Sequence, residues 1–255
     1  MYARALTHTR VAARDYHRLG VELADGARTT VHLASFDRAA VRARVVQVAE
    51  PSTLLAWCRA HGQPDAVVGG FFVRPQRKPL GELRIQGEAV QTVPFDSPWH
   101  GMRSCVHIAG DGIRVARRDE IEPQPGGDLL QAGPLLVRDG KSAIQAGRDP
   151  EGFSAGAHQF DSDITRGRYP RAALALAGSR VLAAVCDGRA DGEAGLTLAE
   201  LAHTLVELGA EAAINLDGGG SASLVQAGRL RNRPREEHGI EILGGRPIAT
   251  AIVFD

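Results

Sequence analysis

The stretch that decides the fold is Ala213-Ile214-Asn215-Leu216-Asp217-Gly218-Gly219-Gly220-Ser221-Ala222-Ser223-Leu224. Apolar residues on both sides predict two strands, or one interrupted strand, joined by a turn. The three glycines have no Cβ, so they can take positive φ and let a ligand contact bare backbone. Successive N–H groups in such a turn can bind an anion. The motif is equally typical of a tight hairpin with Asp217 as a turn former, and alone it leaves both interpretations open.

A helix is predicted directly before this stretch. Thr197 and Glu200 form a capping box, and leucines at 198, 201, 205 and 208 make one apolar face that ends at Gly209. Elsewhere, apolar and β-branched runs with glycine turns predict hairpins at residues 104–116 and 171–186, and a last strand at 248–254. Strands outnumber helices, and hairpins outnumber crossovers. We therefore predict an α+β fold in a single domain, with a mainly antiparallel or mixed β-sheet and a few packed helices.

Residues 29–255 are predicted to form this domain, and residues 1–28 an N-terminal extension or an edge strand. The 255-residue chain has 30 basic and 30 acidic residues and a formal net charge of +0, which argues against nucleic acid as a partner. It has no apolar signal segment and no run long enough to span a bilayer, so we expect a cytoplasmic protein without membrane insertion. Its three cysteines are predicted to be buried free thiols. Nothing in the sequence indicates an oligomeric state.

Four further segments accompany the glycine stretch, in this order: Val68-Gly69-Gly70-Phe71-Phe72, Gln131-Ala132-Gly133-Pro134-Leu135, Pro170-Arg171-Ala172-Ala173 and Arg246-Pro247. Together with the stretch they span roughly residues 30 to 255, and the whole set resembles the phosphodiester glycosidase domain family. The resemblance implies an enzyme that hydrolyses the glycosyl C1–O bond of a small-molecule or glycan sugar-1-phosphodiester. The products would be free sugar and a phosphate monoester.

Such a reaction has three requirements: groups that bind phosphate, stabilisation of charge at the anomeric carbon, and an activated water or a nucleophile. The resemblance makes Asp217 the leading catalytic candidate, with Asp187 as a weaker partner and Arg171 as a fork for phosphate oxygens. The glycine amides are expected to share in phosphate binding, and Gly69 and Gly70 to line the same pocket. The predicted substrate-binding residues are Gly69, Gly70, Phe71, Phe72, Gln131, Gly133, Asn215, Gly218, Gly219, Gly220, Ser221, Asn232 and Arg246. Retention and inversion of stereochemistry both stay open.

Two departures from the family pattern support an alternative function. The family has asparagine where this chain has Val68, and threonine where it has Ala172, so two polar groups are lost. A non-catalytic phosphoglycan-binding domain is therefore a second hypothesis. A third is a phosphodiesterase that uses the glycine loop for phosphate, although no GxxxxGK[ST] loop or clustered metal ligands accompany it.

The sequence requires no cofactor and leaves open a divalent cation near the acidic residues. His158, Asp161 and Asp163 are loosely spaced and match no recognised ligand pattern, which favours a solvated loop over a metal site.

Overall fold

The computed structural model describes residues 14–74, 76–110, 112–154 and 164–255. Within these ranges the chain forms many short strands and two α-helices. The helices are α1 (Leu54–Ala60) and α2 (Leu198–Glu207). The strands are β1 (Arg14–Glu22), β2 (Arg28–Asp37), β3 (Ala43–Ser52), β4 (Ala66–Val68), β5 (Phe72–Val73), β6 (Lys78–Pro79), β7 (Leu83–Ile85), β8 (Glu88–Ala89), β9 (Ser104–Ala109), β10 (Gly112–Arg117), β11 (Asp128–Gln131), β12 (Leu135–Arg138), β13 (Lys141–Ser142), β14 (Arg171–Ala177), β15 (Arg180–Cys186), β16 (Ala212–Asn215), β17 (Leu224–Gln226), β18 (Arg229–Leu230) and β19 (Ile248–Phe254).

The strands form three main sheets and one two-stranded ribbon. A seven-stranded sheet has the order β1-β2-β15-β14-β16-β12-β13, and two five-stranded sheets have the orders β10-β9-β11-β7-β8 and β18-β17-β4-β19-β3. Strands β5 and β6 form the ribbon. The pairings between these strands are antiparallel, which confirms the predicted antiparallel character of the sheet. Strand β1 lies at one margin of the seven-stranded sheet and pairs with β2 alone.

The central strands of the seven-stranded sheet are buried on both faces, which agrees with the unbroken apolar run of β14. Successive side chains of a strand point to opposite faces. Leu174 accordingly joins a core cluster that includes β4 and β19, whereas Ala173 and Ala175 join a second cluster on the side of α2. Helix α2 contributes the leucines 198, 201 and 205 to that second cluster. The sheet is therefore fixed between a helix and the other sheets.

The predicted capping box at the start of α2 is confirmed. The Glu200 backbone N–H donates to Thr197 Oγ1 at 3.1 Å, and the Thr197 backbone N–H donates to Glu200 Oε2 at 2.8 Å. These bonds satisfy N–H groups that the first turn of a helix leaves unpaired. They fix the helix beside β16, the strand that leads to Asp217.

Three glycine-containing segments lie where the chain leaves one sheet for another. Residues 69–70 connect β4 to β5, residues 133–134 connect β11 to β12, and residues 218–220 lie between β16 and β17. Backbone hydrogen bonds connect these three segments. The Asp217 N–H donates to the Gly69 carbonyl at 2.9 Å, and the Gly133 N–H donates to the Asn215 carbonyl at 3.0 Å. We call this meeting point the sheet junction.

Neither helix is long and apolar enough to cross a membrane, as far as the described ranges go. The three cysteines, Cys58, Cys105 and Cys186, are buried free thiols, as the sequence predicts.

Candidate active site

A cavity of about 450 Å³ opens at the sheet junction. Its walls are Phe71, Arg74, Ile164, Tyr169, Pro170, Arg171, Arg189, Asn215, Leu216, Asp217, Gly218, Gly219, Glu236, Glu237, His238, Ile240 and Arg246. Seven of the predicted site residues are among them: Phe71, Arg171, Asn215, Asp217, Gly218, Gly219 and Arg246. Residues from four of the five motifs quoted from the sequence therefore line one cavity.

Asp217 forms part of the cavity floor and is held there by backbone contacts. Its own N–H is bonded to Gly69, and its Oδ1 accepts the Gly218 N–H at 2.9 Å. The second carboxyl oxygen, Oδ2, is buried and makes no well-formed hydrogen bond with any residue the structure describes. Burial raises the pKa of Asp217 to about 6, while the Ser221 hydroxyl and the positive charge of Arg246 limit the rise. A carboxyl group at this position changes its charge near neutral pH.

Further buried polar atoms surround Asp217. Asn215 donates its amide hydrogens to the carbonyls of Gly133 and Leu216, both at 2.9 Å. Asn215 Oδ1 and the Ser223 hydroxyl have no hydrogen-bond partner within the described residues, whereas the Ser221 hydroxyl faces the Asp217 carboxyl. Buried polar atoms without partners are rare in native structures. Of these residues, Asn215 and Asp217 line the cavity, and their buried oxygens are suited to a polar ligand there.

Arg171 lines the cavity, but its guanidinium donates hydrogen bonds to backbone carbonyls. Its Nε donates to the Leu196 carbonyl at 2.6 Å, and its Nη2 donates to the carbonyls of Ile164 and Gly167 at 3.1 and 3.2 Å. The side chain is buried, and burial lowers the pKa of Arg171 to about 10. Nε and Nη2 of Arg171 therefore support the backbone at residues 164–167 and at Leu196, and the predicted contact of this residue with phosphate stays a prediction.

We expect Arg171→Lys to destabilise the protein by roughly 1–3 kcal/mol, because one ammonium group cannot reproduce bonds that leave a guanidinium in three directions. Urea unfolding measures this loss. The kcat/KM should fall by similar factors on a phosphodiester and on an uncharged aryl glycoside. A loss confined to the phosphodiester would restore the direct role in phosphate binding.

Two of the three glycine amides predicted to hold phosphate are also used within the fold. The Gly218 N–H donates to Asp217 Oδ1, and the Gly219 N–H donates to the Pro170 carbonyl at 2.9 Å. Gly219 still needs to be glycine, because its φ of 58° is in the left-handed region. Gly220 and Ser221 lie behind the cavity wall and are buried.

Asp187 does not line the cavity, which corrects its predicted role as a catalytic partner. Its Oδ2 lies 2.9 Å from His32 Nε2, and its Oδ1 accepts the Arg233 N–H at 2.7 Å. Both oxygens are thus engaged and the side chain is buried. Asp187 links β2 and the end of β15 to the loop that follows β18.

Gln131 and Asn232 also have structural positions, in contrast to the predicted contacts with substrate. Gln131 Nε2 donates to the His100 carbonyl at 2.7 Å, and its Oε1 accepts a backbone N–H at 3.0 Å. Asn232 holds both ends of a short segment, since its Oδ1 accepts from Leu224 at 3.0 Å and its Nδ2 donates to Ala222 at 2.7 Å. Neither residue reaches the cavity, and the same is true of Gly133, which supports Asn215.

The two glycine loops are adjacent, as predicted, but only the second contributes to the cavity wall. A Cβ on Gly69 would lie 2.4 Å from Thr250 Oγ1, and a Cβ on Gly70 would lie 3.1 Å from the Gln131 carbonyl oxygen. Packing therefore requires glycine at position 69 and leaves little room for a side chain at position 70. Phe71 faces the cavity, whereas Phe72 belongs to β5 and does not.

Val68 and Ala172, the two positions that depart from the family pattern, are completely buried. Both belong to the core cluster between the sheets and neither lines the cavity. The substitutions consequently add apolar contact to the core and remove no group from the cavity wall.

Several residues of the cavity wall belong to no motif that predicts them as site residues from the sequence. Glu236 pairs with Arg246, whose Nε donates to Glu236 Oε1 at 2.6 Å. Arg189 and His238 have left-handed backbones with φ of 58° and 59°, which is uncommon for residues other than glycine. Backbone strain of this kind is often found at functional sites. The sequence signal for Arg189 is its place directly after Asp187-Gly188; the loop with Glu236 and His238 gives none.

The structure shows no metal site within its described ranges, since no three His, Cys, Asp or Glu side chains there are grouped to hold an ion. His158, Asp161 and Asp163 lie outside the described residues.

The model of a family described as phosphodiester glycosidase matches residues 62–255. No curated protein sequence matches the chain significantly. Among solved structures, the catalytic domain of zebrafish N-acetylglucosamine-1-phosphodiester alpha-N-acetylglucosaminidase, described as auto-inhibited by its pro-peptide, is 19% identical with a TM-score of 0.69. That alignment covers 96% of this chain and 84% of the zebrafish domain.

Two bacterial structures are also similar. A hypothetical protein from Synechocystis is 18% identical with a TM-score of 0.64, and the match covers 95% of this chain but only 62% of the Synechocystis protein. A protein of Burkholderia pseudomallei K96243, described as exported, is 15% identical with a TM-score of 0.60 and coverages of 90% and 74%. At these identities the likenesses establish a shared fold.

Proposed function

Because the chain belongs to the phosphodiester glycosidase family, we propose that it hydrolyses the glycosyl C1–O bond of a sugar-1-phosphodiester. The products are free sugar and a phosphate monoester. The observation that carries this proposal is the position of Asp217: a buried carboxyl with an unpartnered oxygen and a raised pKa, on the floor of a cavity lined by four arginines, Arg74, Arg171, Arg189 and Arg246.

The leaving group explains why one carboxylate and several cations suit this reaction. A phosphate monoester departs as a stable anion, so its oxygen needs less protonation than that of an alkyl glycoside. The developing positive charge at the anomeric carbon needs a carboxylate nearby, and the departing negative charge needs cations. Asp217 supplies the first, and the arginine-lined wall supplies the second.

The alternative of a non-catalytic binding domain loses its main support once Val68 and Ala172 are placed in the core. A carboxyl with a perturbed pKa in a cleft is typical of catalytic sites. Binding a sugar phosphodiester does not by itself require such a group.

The test is hydrolysis of a panel of sugar-1-phosphodiesters in water enriched in ¹⁸O. A phosphate monoester without ¹⁸O supports cleavage of the C1–O bond, and the phosphate is the product to analyse because the anomeric oxygen of a free sugar exchanges with water. Incorporation into the phosphate would identify a phosphodiesterase instead. Binding of a panel member without turnover of any of them would identify a binding domain.

The pKa of Asp217 predicts the pH dependence of the reaction. With a pKa of about 6, the catalytically useful carboxylate is lost in acid, so kcat/KM should rise with pH through about 6 and level off above it. Initial rates between pH 4.5 and 8.5 test this. A profile that falls through pH 6 would show that the protonated acid is the active form, and a flat profile would remove Asp217 from the chemistry.

A further inference from the structure

Two guanidinium groups of the cavity wall contact the same aromatic ring. Arg171 and Arg189 both face the ring of Tyr169, at 5.5 and 5.2 Å from its centre. The pKa of Arg171 is lowered first by burial, and the like charge of Arg189 lowers it further. Two neighbouring cations repel each other unless an anion lies between or beside them.

The other arginines of the cavity wall are engaged. Arg171 donates to three carbonyls, Arg246 is paired with Glu236, and Arg74 has interactions of its own. Arg189 makes one hydrogen bond, from Nη1 to the Arg235 carbonyl at 3.2 Å, and pairs with no carboxylate in the described part of the chain. Its charge is therefore uncompensated, and its remaining N–H groups are available to a ligand.

Arg189 lies directly against the glycine loop that carries Asp217. Its Nη1 is 3.4 Å from the position that a Cβ on Gly219 would occupy. The absence of a side chain at Gly219 thus lets the guanidinium approach the loop backbone. An anion bound by Arg189 would consequently lie beside the loop that carries Asp217.

The backbone of Arg189 is fixed before any ligand arrives. A Cβ on Gly188 would lie 2.8 Å from the Pro170 nitrogen, and a Cβ on Gly239 would lie 2.6 Å from the Arg189 carbonyl oxygen. Close packing on both sides holds the left-handed φ of 58° at Arg189. Such preorganisation reduces the entropy that binding must overcome.

We propose that Arg189, and not Arg171, binds the phosphate group of the substrate and so sets the preference for phosphodiesters over neutral glycosides. The assignment rests on the proposed function for the identity of the substrate. Its physical basis is independent of that function: an uncompensated guanidinium, fixed in position, beside the glycine loop.

The test compares Arg189→Lys with Arg231→Lys in the full chain. Arg231 is a matched control, since its guanidinium lies over the ring of Tyr16 at 4.4 Å and it is not part of the cavity wall. Calorimetry with inorganic phosphate is expected to show at least tenfold weaker binding for Arg189→Lys, because an ammonium group cannot make the two-pronged contact, and unchanged binding for Arg231→Lys. On a hydrolysed phosphodiester, Arg189→Lys should raise KM more than it lowers kcat.

The outcomes separate this inference from the proposed function. If the wild-type protein binds phosphate through Arg189 but hydrolyses no sugar phosphodiester, the proposed function fails and the assignment of Arg189 as the anion-binding residue stands. If Arg189→Lys binds phosphate as the wild type does, or if the wild type binds none at millimolar concentrations, the inference is overturned.

A second measurement uses the wild-type protein, in case Arg189→Lys does not fold. Phenylglyoxal modifies accessible arginines, and peptide mass spectrometry locates the modified positions. Inorganic phosphate should protect Arg189 at concentrations that leave Arg231 unprotected. Equal modification of Arg189 with and without phosphate would overturn the inference.

Discussion

Asp217→Asn is expected to lower kcat by about a hundredfold or more, the usual scale for loss of a catalytic charge, while the protein becomes more stable at pH 8. Asparagine keeps an oxygen that can accept the Gly218 N–H, so the turn retains its shape. What disappears is a charge whose burial outweighs the stabilisation that the Ser221 hydroxyl and Arg246 supply. Activity and stability should consequently change in opposite directions.

The sign of the stability change follows from the pKa of Asp217. Its ordinary value is 3.8 and its value in the folded protein is about 6, so the folded state holds this proton more tightly than the unfolded chain does. Stability is therefore lost as pH rises from about 4 to about 6, and the full cost of ionisation is present above that range. Removing the charge should stabilise the protein by roughly 1–3 kcal/mol at pH 8 and by little at pH 4.

Thermal unfolding at both pH values measures this difference. Asp191→Asn, a change of an exposed aspartate in a turn, is the matched control and should alter neither stability nor turnover. An Asp217→Asn protein that unfolds at pH 8 would make the carboxylate a structural cap. One that folds with full turnover would move the catalytic carboxylate to another residue.

Gly69→Ala is expected to be severely destabilising. The new Cβ would lie 2.4 Å from Thr250 Oγ1 and 2.8 Å from the Thr250 carbonyl carbon, and the second of these atoms is backbone that cannot rotate away. Overpacking in a close-packed core typically costs ~1–3 kcal/mol, and a clash with backbone falls at the upper end or beyond. Since the Gly69 carbonyl also holds the N–H of Asp217, turnover should fall with stability.

Denaturant unfolding gives the size of this effect. Gly20→Ala is the control: Gly20 lies in β1, and a Cβ there would meet no heavy atom within 4 Å. Its unfolding midpoint should stay within experimental error of the wild type. An unchanged midpoint in Gly69→Ala would mean that the sheet junction can widen, contrary to the packing described for it.

Local sequence signals identified the elements that depend on local interactions. The capping box of Thr197 and Glu200 lies within one helical turn, and β14 and β15 pair through a short glycine turn at residues 178–179. The strand ending before Asp217 follows from the same kind of pattern. These predictions are confirmed because each element contains the residues that stabilise it.

The roles of single side chains could not be predicted in this way, because they depend on partners far away in the sequence. Arg171 was expected to bind phosphate, but it donates to Leu196, and Asp187 faces His32 from a distance of 155 positions. Long-range contacts also place Arg189 on the cavity wall. A sequence motif can therefore identify the loop that contains the catalytic residues. It does not show which charged side chains of that loop are engaged in structural hydrogen bonds.

The sheet junction divides the site into a part that evolution can alter easily and a part that it cannot. Beneath the cavity floor, Gly69, Gly133 and Asn215 each hold Asp217 or its neighbours at the sheet junction, so a change there acts on folding and on chemistry together. At the rim, Ile240 is largely exposed and His238 belongs to a loop with no strand of its own. Changes of substrate specificity are therefore expected mainly from substitutions at the rim. Such substitutions can alter recognition without destabilising the fold.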